Sequence, residues 1–188
     1  GAGNDTITFN SVYDTIDGGD GKDTLVVTSA YTASGDVDSN LVNVETITVN
    51  GTSLDYDFSA QSDGFIITVT ATTADTVTGS QGDDSITGSA IADKIYGVAG
   101  NDTISGGTTG ADTITGGEGD DVFSIVLGAA STDIITIADF GNGSDSIKGA
   151  FTGSGKLKVT IANASSTELD LSSTLGAGGT ASVTGGTA

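Results

Sequence analysis

A large apolar side chain returns along this chain at almost every ninth residue: Val77, Ile86, Ile95, Ile104, Ile114 and Phe123. An aspartate stands two positions before each one, at Asp75, Asp84, Asp93, Asp102, Asp112 and Asp121. The steps between these aspartates are nine residues, with a single step of ten from Asp102 to Asp112. The same beat opens the chain at Asp5, Asp14 and Asp23, followed by Ile7, Ile16 and Leu25. Alternation along a three-residue strand sends the apolar residue inward and its neighbours outward. Glycine-rich turns separate these strands, and the apolar residues do not follow a 3.6-residue period, so the pattern predicts an all-β chain without helices. Two successive repeats make one full turn of a parallel β-helix, in which Ile86, Ile95 and Ile104 stack as a narrow core.

Four stretches follow from the beat. Residues 1–26 form a first repeat block. Residues 27–72 lose the nine-residue period and carry strand-like runs at Val44–Val49, Tyr56–Phe58 and Phe65–Thr70, an intervening β segment. Residues 73–124 form the main repeat block. Residues 125–188 form a C-terminal capping segment, with strand candidates Ile125–Leu127, Ile134–Ile137 and Leu157–Ile161 and a flexible Gly/Ser/Thr tail from Gly176.

The repeat template is G-G-x-G-x-D-x-U-x, where U is large and apolar. Gly18–Val26 and Gly116–Ser124 are full copies, and Gly97–Ser105 is close to one. Gly79–Thr87 keeps Gly79 and Gly82, whereas Gly88–Tyr96 has Ile91 where the second turn glycine belongs. Around Asp14, the run Phe9-Asn10-Ser11-Val12-Tyr13 lacks every turn glycine. Glycine admits positive φ and lets carbonyls turn toward an ion, while aspartate offers a hard anionic oxygen on a short stem. Stacked coils lie about 4.8 Å apart. Two bare carboxylates at that distance repel by about 1 kcal/mol even in water. A divalent cation between them reverses the sign, and so thin a core couples its folding to the metal.

Composition decides which cation. The net charge is −20, and all five basic residues are lysines. That balance argues against nucleic acid and against an anionic membrane surface. There is no cysteine and no histidine, so disulfides, thiolate metal sites and the commonest general base are excluded. Oxygen ligands remain, and they suit calcium before zinc. The chain holds no apolar run of the length a transmembrane helix needs, so no such span is predicted. Asp36-x-Asp38-x-Asn40 begins like an EF-hand loop, but Leu41 stands where that loop needs glycine and Ile47 where it needs glutamate. The periodic aspartates have a structural task and no His, Cys or Arg beside them, so the chain is not read as an enzyme. It opens inside a repeat without an initiating Met, as a piece of a longer protein would.

Residues 1–26 and 73–124 resemble the RTX family, the "repeats in toxin" proteins of bacteria. The resemblance implies a right-handed parallel β-roll with several Ca2+ ions between successive turns on each edge. It implies carboxylate ligands at Asp5, Asp23, Asp75, Asp84, Asp93, Asp102, Asp112 and Asp121. Carbonyl ligands would come from Gly3, Gly19, Gly21, Gly82, Gly100, Gly117 and Gly119. The run Asp133–Asp145 resembles the segment that closes many such rolls, which makes Asp133, Asp139 and Asp145 further candidates. Leu41–Val49 resembles strands between repeat blocks in bacterial surface-layer proteins. The function this implies is that of a structural, calcium-binding protein of a bacterial surface layer. It would leave the cell through a type I system and assemble in calcium into a two-dimensional lattice of copies of itself. An anchor to a cell-surface glycan would lie in another part of the protein. The alternative is a calcium-dependent secretion or stabilising domain of an RTX adhesin, protease or toxin whose activity lies outside these residues.

Overall fold

The computed structural model describes residues 1–9, 15–29, 31–32, 41–52, 55–127, 132–140, 143–151, 156–161 and 180–185. Asp14 and the Asp36–Asn40 run lie outside these residues. Every regular element among them is a strand, and every strand pairing is parallel. The first sheet stacks Thr6–Phe9, Thr24–Val27, Thr46–Val49, Ile66–Val69, Ser85–Thr87, Thr103–Ser105, Val122–Leu127 and Ser146–Phe151 in chain order. The second stacks Tyr31–Thr32, Asp55–Asp57, Thr76–Thr78, Lys94–Ala99, Ala111–Glu118, Thr132–Ile137, Lys156–Ile161 and Thr180–Gly185. A short pair joins Ile16–Asp17 to Leu41–Val42. Consecutive strands alternate between the sheets through most of the chain, which is a β-solenoid.

Register explains both the beat and its loss. Thr6 pairs with Thr24 and Ser85 with Thr103, so each of these coils spans two nonapeptides. Lys94 pairs with Thr113 and Thr103 with Val122, one position further on, so the extra residue between Asp102 and Asp112 is absorbed in the turn around Gly106. Outside the regular blocks the coils lengthen: Thr24 pairs with Thr46, Tyr31 with Tyr56 and Val122 with Ser146. The strands of residues 27–72 therefore occupy the same two sheets as the repeats, apart from Leu41–Val42, which pairs with Ile16–Asp17. The last strand, Thr180–Gly185, pairs with Lys156–Ile161 inside the Gly/Ser/Thr-rich tail.

The core is the space between the sheets. One ladder runs Leu25, Ile47, Ile67, Ile86, Ile104, Phe123 and Ile147. Its counterpart runs Tyr56, Val77, Ile95, Ile114 and Ile137. All of these are buried. Fully burying one such side chain contributes about 1.5–3 kcal/mol. Phe140 packs on Phe123 with ring centroids 6.0 Å apart, adding an aromatic pair near the C-terminal turns.

Candidate metal centre

In each regular repeat but one the aspartate stands at the last turn position, immediately before a strand; Asp112 is the second residue of the strand Ala111–Glu118. Its carboxylate folds inward and reaches one coil back. The amide of Asp84 donates to Asp102 Oδ1 at 2.8 Å, and that of Asp102 to Asp121 Oδ1 at 2.9 Å. The amide of Asp121 donates to Asp145 Oδ1 at 3.0 Å. On the opposite edge Asp75 donates to Asp93 Oδ1 at 3.1 Å, and Asp93 to Asp112 Oδ1 at 2.9 Å. In the first coils Asp5 donates to Asp23 Oδ1 at 2.7 Å. The aspartates thus form stacked ladders along both edges, and all but Asp5 and Asp145 are buried.

These ladders carry an electrostatic load. Burial pushes the Asp102 carboxyl up to about 7; the Asp84 amide opposes the rise, and the charges of Asp84, Asp121 and Asp83 add to it. Burial pushes Asp121 up to about 6, with Asp145, Asp139 and Asp120 adding to the rise. Asp84 is also raised by burial, against the donations of Ser80 and Phe65. Ionised carboxylates buried this way are costly unless a cation joins them.

The remaining oxygens show where a cation fits. Asp23 Oδ2, Asp102 Oδ2 and Asp121 Oδ2 are buried without a hydrogen-bond partner. The first glycine of each repeat has an ordinary φ, and its need is for room. A Cβ on Gly97 would strike both Asp102 Oδ2 and the carbonyl oxygen of Gly116, and one on Gly116 would strike Asp121 Oδ2. A carboxylate oxygen and the next coil's carbonyl therefore share one cramped space. Among the described residues no three His, Cys, Asp or Glu side chains converge as a metal-holding group. A calcium ion here, with its six to eight oxygens, would draw heavily on backbone carbonyls.

The expected carbonyl donors sit in these turns. Gly3, Gly19, Gly21, Gly100, Gly117 and Gly119 adopt positive φ, between 96° and 144°. Gly82 does not; a Cβ there would meet Gly64 N and Ser62 O, so it is glycine for space. Val98 occupies the second glycine position of its repeat at φ 95°, which a β-branched residue rarely adopts. Asp139 does not join the ladder: it accepts from the amides of Gly116 (2.9 Å) and Gly117 (2.7 Å), capping the turn one coil back. Asp133 lies on the strand Thr132–Ile137, opposite Leu157; its side chain is outside the described residues.

Three features escaped the sequence. Glu45 continues the Asp5–Asp23 ladder, because the Asp23 amide donates to Glu45 Oε2 at 2.8 Å. It has the right chemistry but stands outside any nonapeptide. Carbonyls of the first repeat glycines also line the carboxylates: that of Gly106 lies beside Asp93 and that of Gly116 beside Asp102. Finally, on the edge of Asp84, Asp102, Asp121 and Asp145, the residue before each ladder aspartate makes an outer ladder, whereas Ala74, Ala92 and Ala111 hold that position on the other edge. The Asn101 amide donates to Asp83 Oδ1 (2.6 Å), Asp120 to Asn101 Oδ1 (2.9 Å) and Ser144 to Asp120 Oδ1 (2.8 Å). The recurrence of Asp or Asn at that position was the available signal.

A family model described as the RTX calcium-binding nonapeptide repeat (4 copies) matches residues 13–27, 70–104 and 107–124. Comparison with curated proteins and with solved structures gives no significant match. Most of the matched residues lie in the coils that close after two nonapeptides, or one residue more, and whose aspartates form the buried ladders. The repeats of this chain are RTX calcium-binding nonapeptide repeats, and the all-strand solenoid they build is a calcium-binding β-roll.

Proposed function

We propose that this β-roll is structural: part of a bacterial surface-layer protein, secreted by a type I system, that folds in external calcium and packs against copies of itself. The supporting observation is the outer face of the first sheet. Its two outward columns run Thr6, Thr24, Thr46, Ile66, Ser85, Thr103, Val122, Ser146 and Thr8, Val26, Thr48, Thr68, Thr87, Ser105, Ser124, Lys148, of which Ser105 is buried and accepts from the Gly107 amide. Lys148 is the sole charge in these columns, on a chain of net charge −20. Among the described residues the exposed acids lie in turns at Asp5, Asp20, Asp63, Asp83 and Asp120, and on strands outside this sheet at Asp17, Asp55 and Glu118. Like-charged copies repel everywhere except across such a neutral face. Eight strands about 4.8 Å apart and three to four residues wide present roughly 400 Å². Two such faces bury about 800 Å², below the size of a stable pair interface, so the contact holds only when repeated in an array.

Calcium also accounts for the timing. A chain whose carboxylates are bare cannot close its whole roll during export and completes its fold where calcium is millimolar. The experiment is a calcium titration with far-UV circular dichroism and light scattering on the same sample. A rise in β signal followed by scattering from ordered sheets is the expected result. A calcium-loaded particle that stays monomeric at high concentration refutes the lattice. It would move the chain to the second reading, a stabilising domain of an RTX adhesin, protease or toxin.

A further inference from the structure

The repeats look alike in sequence, but they differ at the oxygen an ion would use. At Asp102 and Asp121, the second repeat position holds Val98 and Gly117, and at Asp23 it holds Gly19. None of these offers a side-chain donor, and all three Oδ2 atoms are buried and unpartnered. At Asp84 and Asp93 the same position holds serine. The Ser80 amide donates to Asp84 Oδ2 at 2.6 Å and its hydroxyl to Asp84 Oδ1 at 3.0 Å; the Phe65 amide adds a third bond to Oδ1 at 2.7 Å. Ser89 donates to Asp93 Oδ2 through its amide at 2.7 Å and its hydroxyl at 2.9 Å, while the Asp75 amide serves Oδ1. Donors in this number favour the charged form of a carboxylate, and at Asp84 they oppose, without cancelling, the rise that burial imposes.

The coil below Asp84 has no carboxylate at the ladder position. By register Phe65 stands where Glu45 and Asp84 stand in the coils on either side. It packs on Phe58 with centroids 6.1 Å apart, above the fully buried Tyr56. The buried polar side chain of that coil, Gln61, is neutral. Asp75, a further buried carboxylate in this part of the roll, is not without a partner, although its Oδ2 makes no hydrogen bond.

We propose that Ser80 and Ser89 stand in for calcium at Asp84 and Asp93. The roll then requires ions at Asp23 near one end and at Asp102 and Asp121 toward the other. The coils between, from Phe65 to Ile95, hold their structure without them. Each coil of a solenoid contacts only its neighbours, so stability divides along the axis in this way. The inference rests on calcium uptake by the repeats and adds which of them demand it.

Hydrogen exchange read by mass spectrometry on the full chain, in calcium and in chelator, tests it. In chelator the amides of Ile66–Val69, Thr76–Thr78 and Ser85–Thr87 should stay protected. Those of Thr24–Val27, Thr103–Ser105 and Val122–Leu127 should exchange at least about tenfold faster than with calcium. Equal loss along the whole roll overturns the serine assignment while leaving calcium binding intact. An absence of any calcium effect overturns calcium binding itself. The double variant Ser80→Gly, Ser89→Gly should keep full protection in calcium and lose the central protection in chelator. Retained central protection in that variant would also overturn the proposal.

Discussion

Asp102→Asn should change stability in opposite directions with and without calcium. The amide side chain is nearly isosteric with the carboxylate and keeps an oxygen to accept the Asp84 amide. Its NH2 group, placed where Oδ2 now sits, lies close to the Gly116 carbonyl. Without metal, the wild-type carboxyl titrates at about 7 in the fold against an ordinary 3.8. At about pH 8 an ionised Asp102 therefore costs the metal-free fold about 4 kcal/mol. Removing the charge recovers that cost, less about 1–3 kcal/mol for burying an amide whose bonds are imperfect. The metal-free variant should be more stable by about 1–3 kcal/mol. With calcium the sign reverses, because Asp102 faces a coil on either side. A site saturated at about a hundred times its dissociation constant contributes about 2.7 kcal/mol. Weakening both neighbouring sites removes up to about 5 kcal/mol and leaves a net loss of about 2–4 kcal/mol. Urea unfolding followed by circular dichroism, in chelator and in millimolar calcium, reads both signs. A shift of the same sign in both conditions would refute the argument that a buried, unpaired carboxylate is the calcium ligand.

Three further outcomes are expected. Ile104→Ser empties a fully buried core rung and should cost about 3–5 kcal/mol, whereas Thr103→Ser on the outer face should stay within about 0.5 kcal/mol; equal melting temperatures would contradict the inward and outward assignment. Val98→Gly should raise the melting temperature by a few degrees, since relieving about 1–3 kcal/mol of strain at φ 95° outweighs about 0.5–1 kcal/mol of glycine entropy; a lower melting temperature would show that the valine is accommodated without strain. Because the folded carboxyls of Asp102 and Asp121 lie above their unfolded values, the fold binds more protons than the unfolded chain between about pH 4 and pH 7. The metal-free protein should therefore be most stable below that window and lose stability as pH rises through it. Calcium uptake in the same window should release protons, and a binding heat that did not vary among buffers of different ionisation enthalpy would contradict this.

Much of the site was legible because a period is a geometric statement. Asp84 and Asp102 are 18 residues apart, so a two-repeat coil must stack them, and the amide of one does reach the carboxylate of the other. Ile86 and Ile104 pair for the same reason. In the segment from 27 to 72 the strand runs were legible, but not their place in the solenoid. Its coils differ in length from one turn to the next, and a parallel pairing over a variable turn leaves no fixed spacing to read. Glu45 was hidden by the same irregularity. The difference between Ser80 and Gly117 was visible as letters, but its meaning depends on which way a neighbouring carboxylate turns.

Residue type and spacing were enough to establish the repeat, its inward and outward faces, the oxygen-only chemistry and the ion. A β-strand and a glycine turn translate those two properties directly into direction and distance. Long-range register was needed to place the irregular coils in the same two sheets and to reveal the nearly uncharged face of the first sheet. It was needed again to separate the carboxylate oxygens satisfied by protein donors from those left for a cation. Such outcomes depend on contacts between residues far apart in the chain and on hydrogen bonds of about 3 Å, which no local pattern encodes.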